Sequence, residues 1–497
     1  MTTKPILVLG GTGYVGGRLV PLLLSSGYTV RVGGRSAEKI RARPWAEHPN
    51  LQIAEVDIHD IQSLIKAASG CGVIFYLVHS VAVTARDYGA HDRDGAYNMV
   101  QATSAVPGLE RIIYLGSLGG HGEEMSREIL CRQEIARILS FAKVPVTTLR
   151  AGLIIGSGSA AFEMISYMAD RHPLMLAPRW MNSRCQPISI RNVLVYLLGC
   201  LEQGETIGRD YDIGSPEIMT YADLFQLYAK TVGLRRRTFI PLPFIMPRIS
   251  AYWVSLITPI PYSVSRVMIE SLLGEMICQE DYLREVIPQK LISPEEAIFK
   301  ARQSEGQGNV ESSCFDSGTC NAPEWVQKGD ADYAREGVYR AQYRITLKTD
   351  PDTVWDRIKR LGGEQGWYYG NFLWKMRGTL DKLVGGVGLS RGRRDKNNIR
   401  VGDALDFWRV LTVNAPEQLQ LVAEMQVWGQ ALLQFDINEI NPGETELQLK
   451  AYFRPKGLPG LIYWYSVYPF HAPIFRGMLK NIARSCAAPV ISGPEAL

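Results

Sequence analysis

A chain of 497 residues is too long for one hydrophobic core, so about three domains, or two large ones, are expected. Its 46% hydrophobic and 21% charged content is that of an ordinary globular protein, and a net charge of +4 is too small to argue for nucleic acid as a partner. The eight cysteines are scattered with no C-x-x-C pair, which excludes zinc-ligand spacing, leaves no metal expected and fits a reduced, cytoplasmic chain.

The first element is an apolar strand, Ile6–Leu9, that runs without a gap into Gly10-Gly11-Thr12-Gly13-Tyr14-Val15-Gly16. An apolar helix follows, carrying Leu19, Val20, Leu22, Leu23 and Leu24. Strand, glycine turn and helix in this order form the phosphate-binding turn of a Rossmann fold. One glycine permits the tight turn, a second lets backbone N–H groups approach a pyrophosphate, and a third lets helix and strand pack closely. The positive end of the helix then faces the diphosphate. A plain strand–turn–helix without nucleotide is the competing reading.

Further strands are read at Thr29–Val32, Leu51–Glu55, Val73–Val78, Arg111–Leu115 and Val146–Leu149, with helical stretches between them. That alternation predicts an α/β fold, a doubly wound parallel sheet covered on both faces. The second strand ends in Gly33-Gly34-Arg35-Ser36, with no acidic residue to hold a ribose 2′-OH. Arg35 and Ser36 instead offer a guanidinium and a hydroxyl to a 2′-phosphate, which favours NADP(H) over NAD(H). A solvated arginine after a strand is the alternative. Asp57 is placed to approach the adenine edge, or to cap a helix.

Thr220–Val232 reads as an amphipathic helix entered through Thr220. Residues 236–302 are apolar and proline-punctuated, a helical cap on the substrate side, and 303–332 are a polar linker. Within the cap, Phe244–Tyr262 is broken by prolines and Arg248, so it is too interrupted to span a membrane. Peripheral membrane contact is its second reading. No secretory leader is read before the first strand.

Residues 333–488 read as a different domain. Tyr339, Ala341, Tyr343, Ile345 and Leu347 alternate with polar residues, a half-buried strand. A helix follows with Asp350 as N-cap and Pro351 at its first position. Alternating runs at Ala404–Val413, Gln418–Val427, Ala431–Ile440 and Glu446–Phe453 predict an antiparallel meander, its last pair joined through Asn441-Pro442-Gly443-Glu444. Gly460–Cys486 predicts a long aromatic helix, kinked near Pro469 and Pro473. Together these describe an α+β helix-grip-like antiparallel sheet domain, an arrangement that leaves room for an apolar small-molecule ligand between sheet and helix. The basic run Arg391-Gly392-Arg393-Arg394-Asp395-Lys396 reads as a solvated turn or an anion contact. Asp403, Asp406 and Arg409 form ion pairs within the sheet or line a pocket mouth.

Residues 1–300 resemble the atypical, extended short-chain dehydrogenase/reductases, especially the NmrA-like group and relatives of the NADPH-binding accessory subunit of respiratory complex I. The resemblance is carried by the Gly10–Gly16 turn, Arg35, Asp57, Gly116-Ser117, Leu149-Arg150-Ala151-Gly152-Leu153-Ile154-Ile155-Gly156, Gln186-Pro187-Ile188-Ser189-Ile190-Arg191-Asn192-Val193 and Met219-Thr220-Tyr221-Ala222-Asp223-Leu224. Residues 325–486 resemble the uncharacterised domain often fused to such reductases in bacteria, through Gly366-Trp367-Tyr368, Arg377-Gly378, Gly402-Asp403 and Asp406-Phe407-Trp408-Arg409-Val410. That domain is in turn similar to START-like helix-grip folds. The resemblance implies that Gly10, Thr12, Gly13, Tyr14, Val15 and Gly16 hold the pyrophosphate, and that Val78 and His79 meet the central part of the cofactor.

One departure bears on catalysis. Members of the dehydrogenase family use a Tyr-x-x-x-Lys pair after the fifth strand, the lysine lowering the tyrosine pKa for proton transfer. Between Leu115 and Met164 this chain has no tyrosine, and Arg132 stands roughly where the lysine would be. Ser117 fits the polarising serine. A proton donor would have to be His79, His121, Tyr88 or a water, although each histidine also reads as a plain polar loop residue. Two functions stay open: an NADP(H)-dependent reductase of an apolar carbonyl or enone held between the cap and the last domain, and a non-catalytic NADP(H)-binding sensor or scaffold.

Overall fold

The computed structural model describes residues 4–41, 43–78, 89–119, 127–241, 249–252, 254, 266, 269–272, 274–306, 338–383, 393, 395–425, 428–455 and 457–497. The chain divides into two compact units, Met1–Thr258 with Tyr262–Ser317, and Gly318–Leu497 with Pro259–Pro261.

The first unit is built on seven parallel strands: β1 (Ile6–Leu9), β2 (Val30–Gly34), β3 (Leu51–Glu55), β4 (Val73–Tyr76), β5 (Arg111–Ser117), β6 (Val146–Ala151) and β7 (Asp210–Ile213). Their order is β7-β6-β5-β4-β1-β2-β3, the doubly wound Rossmann order with one strand added at the edge. β1 shows why such strands carry unbroken apolar runs. Ile6 and Val8 face one core layer and Leu7 and Leu9 the other, all at most 1% exposed. Helices α1 (Gly16–Ser25), α2 (Ala37–Arg41), α3 (Ile61–Ala68), α4 (Ala90–Ala105), α5 (Arg127–Leu139), α6 (Ala160–Arg171), α7 (Ile190–Glu202) and α8 (Tyr221–Thr231) follow in turn.

Several ends differ from expectation. β2 begins at Val30, and β5 and β6 run on to Ser117 and Ala151. β4 stops at Tyr76 rather than Val78, where the chain turns across Gly10. α8 is capped as expected, with Thr220 and Asp223 forming a reciprocal capping box. Residues of the expected cap belong to this same unit: Thr238–Pro241 pairs in parallel with Leu174–Ala177, and the described residues beyond it include helices α9 (Leu283–Val286) and α10 (Pro294–Gly306). Phe244–Tyr262 lies mostly outside the described residues. Among the described residues no helix is long and apolar enough to cross a membrane.

The second unit is a seven-stranded antiparallel sheet: β8 (Tyr339–Leu347), β9 (Ala404–Leu405), β10 (Trp408–Asn414), β11 (Gln418–Ala423), β12 (Gly429–Asn441), β13 (Glu444–Pro455) and β14 (Val490–Ala496), in the order β9-β10-β11-β12-β13-β8-β14. β8 alternates as expected, with Tyr343, Ile345 and Leu347 inside. α11 (Pro351–Ile358), capped by the Asp350 carboxylate at 2.8 Å from the Thr353 N–H, and α13 (Gly457–Ser485) pack on the sheet. α13 runs unbroken through Pro469 and Pro473. The expected strand Ala404–Val413 is instead a hairpin, because Asp406 takes the left-handed region at φ 56° and turns the chain between Leu405 and Trp408. Helix α12 (Asn371–Leu383) and strand β14 were not expected from the sequence.

Candidate functional site

The end of β1 and the start of α1 are locked by backbone contact. Gly10 has φ +81°, and a Cβ there would stand 2.7 Å from the Leu77 carbonyl oxygen. Only glycine fits. The Gly13 N–H donates to the Gly10 carbonyl at 2.9 Å, and a Cβ on Gly16 would overlap that same carbonyl. Gly13 differs from both: its conformation is ordinary, and a Cβ would meet only the Gly10 oxygen, at 3.2 Å. The turn is therefore closed toward the protein and open on the Gly13 side. No side chain caps the N-terminus of α1, although the N–H groups of Gly17, Arg18 and Leu19 already donate to the carbonyls of Gly13 and Val15. These are the features a dinucleotide diphosphate requires, and the residues fit that group.

The other expected contacts gather along the same edge of the sheet. The Val56 N–H donates to the Gly34 carbonyl at 3.0 Å, which sets Asp57 beside Arg35 at the ends of β3 and β2. Arg35 is exposed. The Asp57 carboxylate accepts from the His59 N–H at 3.0 Å, while the cap of α3 is Asp60. Ser36 accepts from the Lys39 N–H at 3.3 Å at the start of α2. His59 and His91 share a 2.8 Å contact through their Nε2 atoms; burial, then His91, lowers the His59 pKa, and Arg35 adds to the shift. Val78 borders Gly10. His79, Tyr88 and His121 lie outside the described residues.

Two arginines that the sequence did not single out embrace the turn. Arg43, 6% exposed, donates to the Thr12 carbonyl at 3.0 Å. Arg18 lies 4.4 Å from the centre of the Tyr14 ring and donates to the carbonyls of Tyr14 (3.2 Å) and Ser157 (2.8 Å). The i, i+4 spacing of Tyr14 and Arg18 was a signal for the second. Nothing local marked Arg43.

Ser117 ends β5, and α5 packs against that strand. The Tyr114 hydroxyl donates to the Arg132 carbonyl at 3.4 Å. Tyr114 does not replace the missing acid, because burial drives its pKa upward more than Arg132 draws it down. Other motif residues are structural. The Gln186 amide donates to the Ser215 carbonyl (2.6 Å) and accepts from the Cys278 N–H (2.9 Å), and Arg150 pairs with Asp212 at 2.6 Å.

In the second unit the Asp406 carboxylate accepts from the Trp367 indole at 2.8 Å and the Gly363 N–H at 3.3 Å. Burial pushes its pKa up to about 6. Arg409, 2% exposed, pairs with Glu424 at 2.7 Å and donates to the Gly402 carbonyl at 2.8 Å, and Asp403 accepts from the Arg400 N–H at 2.9 Å. All three are structural. Within the basic run, Arg393 donates to the carbonyls of Leu361 and Lys359, each at 2.6 Å, and so ties down the end of α11; Arg391 and Arg394 are outside the described residues. Between α12, α13 and the sheet lies a cavity of about 470 Å³, walled by aromatic and aliphatic side chains including Trp374, Trp464 and Phe475.

Two family models match the chain. Residues 10–140 match a family model described as NAD(P)H-binding, and residues 333–478 match one described as a protein of unknown function, DUF2867. The chain is 28% identical over 129 residues to a dihydroflavonol 4-reductase of Hordeum vulgare, covering 23% of this chain and 35% of that protein. It is 32% identical over 115 residues to a 3 beta-hydroxysteroid dehydrogenase/Delta 5-->4-isomerase of Mycobacterium tuberculosis, covering 23% of this chain and 29% of that protein. An isoflavone reductase homologue of Lupinus albus is 21% identical over 249 residues, 47% of this chain and 77% of that protein. The chain thus spans 35% of the first of these relatives and 29% of the second. A solved nucleoside-diphosphate-sugar epimerase from Staphylococcus aureus is 13% identical at a TM-score of 0.49, over 59% of this chain and 99% of that one. The N-terminal domain is an NAD(P)-binding Rossmann domain of the short-chain-dehydrogenase-like kind, and a DUF2867 domain follows it.

Proposed function

We propose that the protein is an NADP(H)-dependent oxidoreductase acting on an apolar carbonyl- or enone-type substrate. The observation that carries the reading is the glycine turn, closed toward the protein at Gly10 and Gly16 and open at Gly13 below an uncapped helix N-terminus. Gly10, Thr12, Gly13, Tyr14, Val15 and Gly16 line the diphosphate site at the start of α1. Arg35 and Ser36 take the 2′-phosphate, Asp57 the adenine, and Val78 and His79 the middle of the dinucleotide. The bound cofactor supplies a hydride. Arg132 orients the nicotinamide ribose as a fixed cation, and Ser117 donates to the substrate oxygen. Neither passes a proton at neutral pH, so that step falls to His79, Tyr88, His121 or water. The reductase names among the relatives support the reaction class.

The cavity of the DUF2867 domain takes an apolar small molecule. Its size lies within the range of about 300–1,000 Å³ typical of ligand sites, and a long helix across an antiparallel sheet supports the START-like likeness.

Titration with NADPH and NADH tests the cofactor reading. Arg35→Ala is expected to weaken NADPH roughly tenfold, one lost charge-assisted contact, and to leave NADH unchanged. Equal weakening of both, or none, overturns the 2′-phosphate assignment. Oxidation of bound NADPH by carbonyl and quinone substrates tests the reaction. Loss of turnover in Arg132→Ala supports an enzyme; binding without turnover on every substrate returns the domain to a sensor or scaffold.

A further inference from the structure

The wall of the second domain's cavity carries a cation that makes no ion pair among the described residues. Arg377, on α12, is half-buried in its wall. Its Nε and Nη2 are 3.1 and 2.9 Å from the Met425 sulfur, and its guanidinium is 5.1 Å from the centre of the Tyr463 ring. A thioether is a weak acceptor and an aromatic face a partial substitute for water, so a half-buried cation is poorly compensated by the two. Among the described residues no carboxylate forms an ion pair with it. Asp381, one turn along α12 on the same wall, acts on Arg377 only through space. Burial lowers the Arg377 pKa to about 10, which leaves it charged at neutral pH.

Two further polar groups on this wall lack partners among the described residues. The indole N–H of Trp408, a side chain 5% exposed, has no acceptor, and Nδ1 of His471 has no partner. His471 stacks on Phe475 with ring centres 5.0 Å apart and meets Trp464 edge-on. Buried polar groups in folded proteins are satisfied as a rule, so unmatched groups around a cavity point to a ligand atom. Met376, Leu380, Trp428 and Phe470 line the same cavity and are 48–60% exposed, which makes its mouth apolar.

We propose that this cavity binds a single-tailed amphiphile with a carboxylate head, the head paired with the Arg377 guanidinium and the alkyl chain lying among Trp374, Trp464 and Phe475. A carboxylate presents two oxygens to the guanidinium fork and carries one charge, matching one unpaired arginine. A phosphate monoester would bring about two charges against it, with Asp381 on the same wall. The inference deepens the reading of the cavity as an apolar-ligand site and is independent of the cofactor.

The test is calorimetric titration of the full chain with dodecanoate and with dodecanol, below their aggregation limits, with tryptophan fluorescence as a second readout. Hydrogen bonds to charged groups are worth about 1.5–3 kcal/mol, so dodecanoate is expected to bind at least tenfold tighter than dodecanol. Arg377→Met is expected to erase the preference while dodecanol binding stays within about twofold, and Trp408→Phe to weaken dodecanoate severalfold. Equal binding of acid and alcohol overturns the carboxylate head and leaves the apolar-ligand reading standing. Binding of neither overturns both. A preference that survives in folded Arg377→Met refutes the role of that arginine, and the wild-type comparison decides the head group even if the variant fails to fold.

Discussion

Gly13→Ala should separate cofactor binding from folding. The new methyl would meet one atom, the Gly10 carbonyl oxygen at 3.2 Å, which the turn can relieve by a shift of a few tenths of an ångström. The backbone there is in an ordinary region, and an alanine loses less unfolded-state entropy than a glycine, a gain of about 0.4–1 kcal/mol that offsets the crowding. Stability should therefore stay within about 1 kcal/mol of the parent. The methyl nevertheless stands on the open side of the turn, where the proposed diphosphate must approach the backbone at the start of α1. Losing one or two charge-assisted hydrogen bonds costs about 1.5–3 kcal/mol, or roughly 10- to 150-fold in NADPH affinity. Gly16→Ala is the control. Its Cβ would overlap the Gly10 carbonyl and stand 2.8 Å from the Gly11 Cα, backbone against backbone, so the fold itself should suffer. Calorimetric NADPH titration, paired with urea unfolding, reads both quantities. A folded Gly13→Ala that binds NADPH like the parent would refute the reasoning, and so would one that unfolds as readily as Gly16→Ala.

The remaining predictions concern protons. Asp406 has a native pKa of about 6 against an ordinary 3.8, so the native state holds the proton more tightly and stability falls as pH rises between those values. Asp406→Asn, which suits the left-handed backbone, should flatten that slope and gain about 1–3 kcal/mol at pH 7 in urea melts; a less stable variant at pH 8 would count against burial as the cause. His471 has the opposite sign: burial first and the Arg377 charge second lower its pKa to about 4, so its contribution is full above pH 6.5 and is lost as pH falls toward 4. In proton NMR titration its pKa should rise in Arg377→Met, and an unmoved value would place the two groups too far apart to interact. Tyr114→Phe should leave any NADPH-dependent turnover within about twofold, because a tyrosine with a raised pKa is a poor proton donor near neutrality; a loss of a hundredfold would make Tyr114 the missing acid.

The Rossmann unit was legible because its information is local. β1 is uniformly apolar because both of its faces are buried, and Gly13 and Gly16 answer to the Gly10 carbonyl within the turn, although Gly10 itself answers to the distant Leu77 carbonyl. Arg43 was not legible, since its contact with the Thr12 carbonyl depends on how the segment after α2 returns to the turn, 31 residues away. In the second unit the alternating strands were readable, but the break at Asp406-Phe407 was hidden inside a run of apolar residues. Helix α12 escaped for a physical reason. It buries Trp374 and Asp381 yet exposes Phe372, Met376 and Leu380 by 48–75%, so its pattern is not that of a helix with one apolar face on a core. Those exposed residues include two at the mouth of the cavity, which ties the misreading to the site. Strand β14 carries Gly493 and Pro494 and is almost wholly exposed, so neither composition nor burial marked it.

Arg409 and Arg377 show why partners, rather than residue type or motif, divide structure from binding in the second unit. Both belong to motifs that carry the family resemblance, Arg377-Gly378 and Asp406-Phe407-Trp408-Arg409-Val410. Arg409 has a carboxylate at 2.7 Å and a carbonyl at 2.8 Å. Replacing it with methionine removes the Glu424 ion pair and the donor to the Gly402 carbonyl, and breaking a buried pair costs about 3–5 kcal/mol. Arg377 has a sulfur and a ring face. Its removal strands no described carboxylate in a pair and relieves the burial of a poorly matched charge, so Arg377→Met should melt at or above the parent temperature in the absence of ligand. A residue that lowers stability where it stands is held there by something other than folding, and the two variants, melted side by side, measure that difference. Equal losses in both would mean that Arg377 is a staple like Arg409, and the cavity would then have no charged anchor.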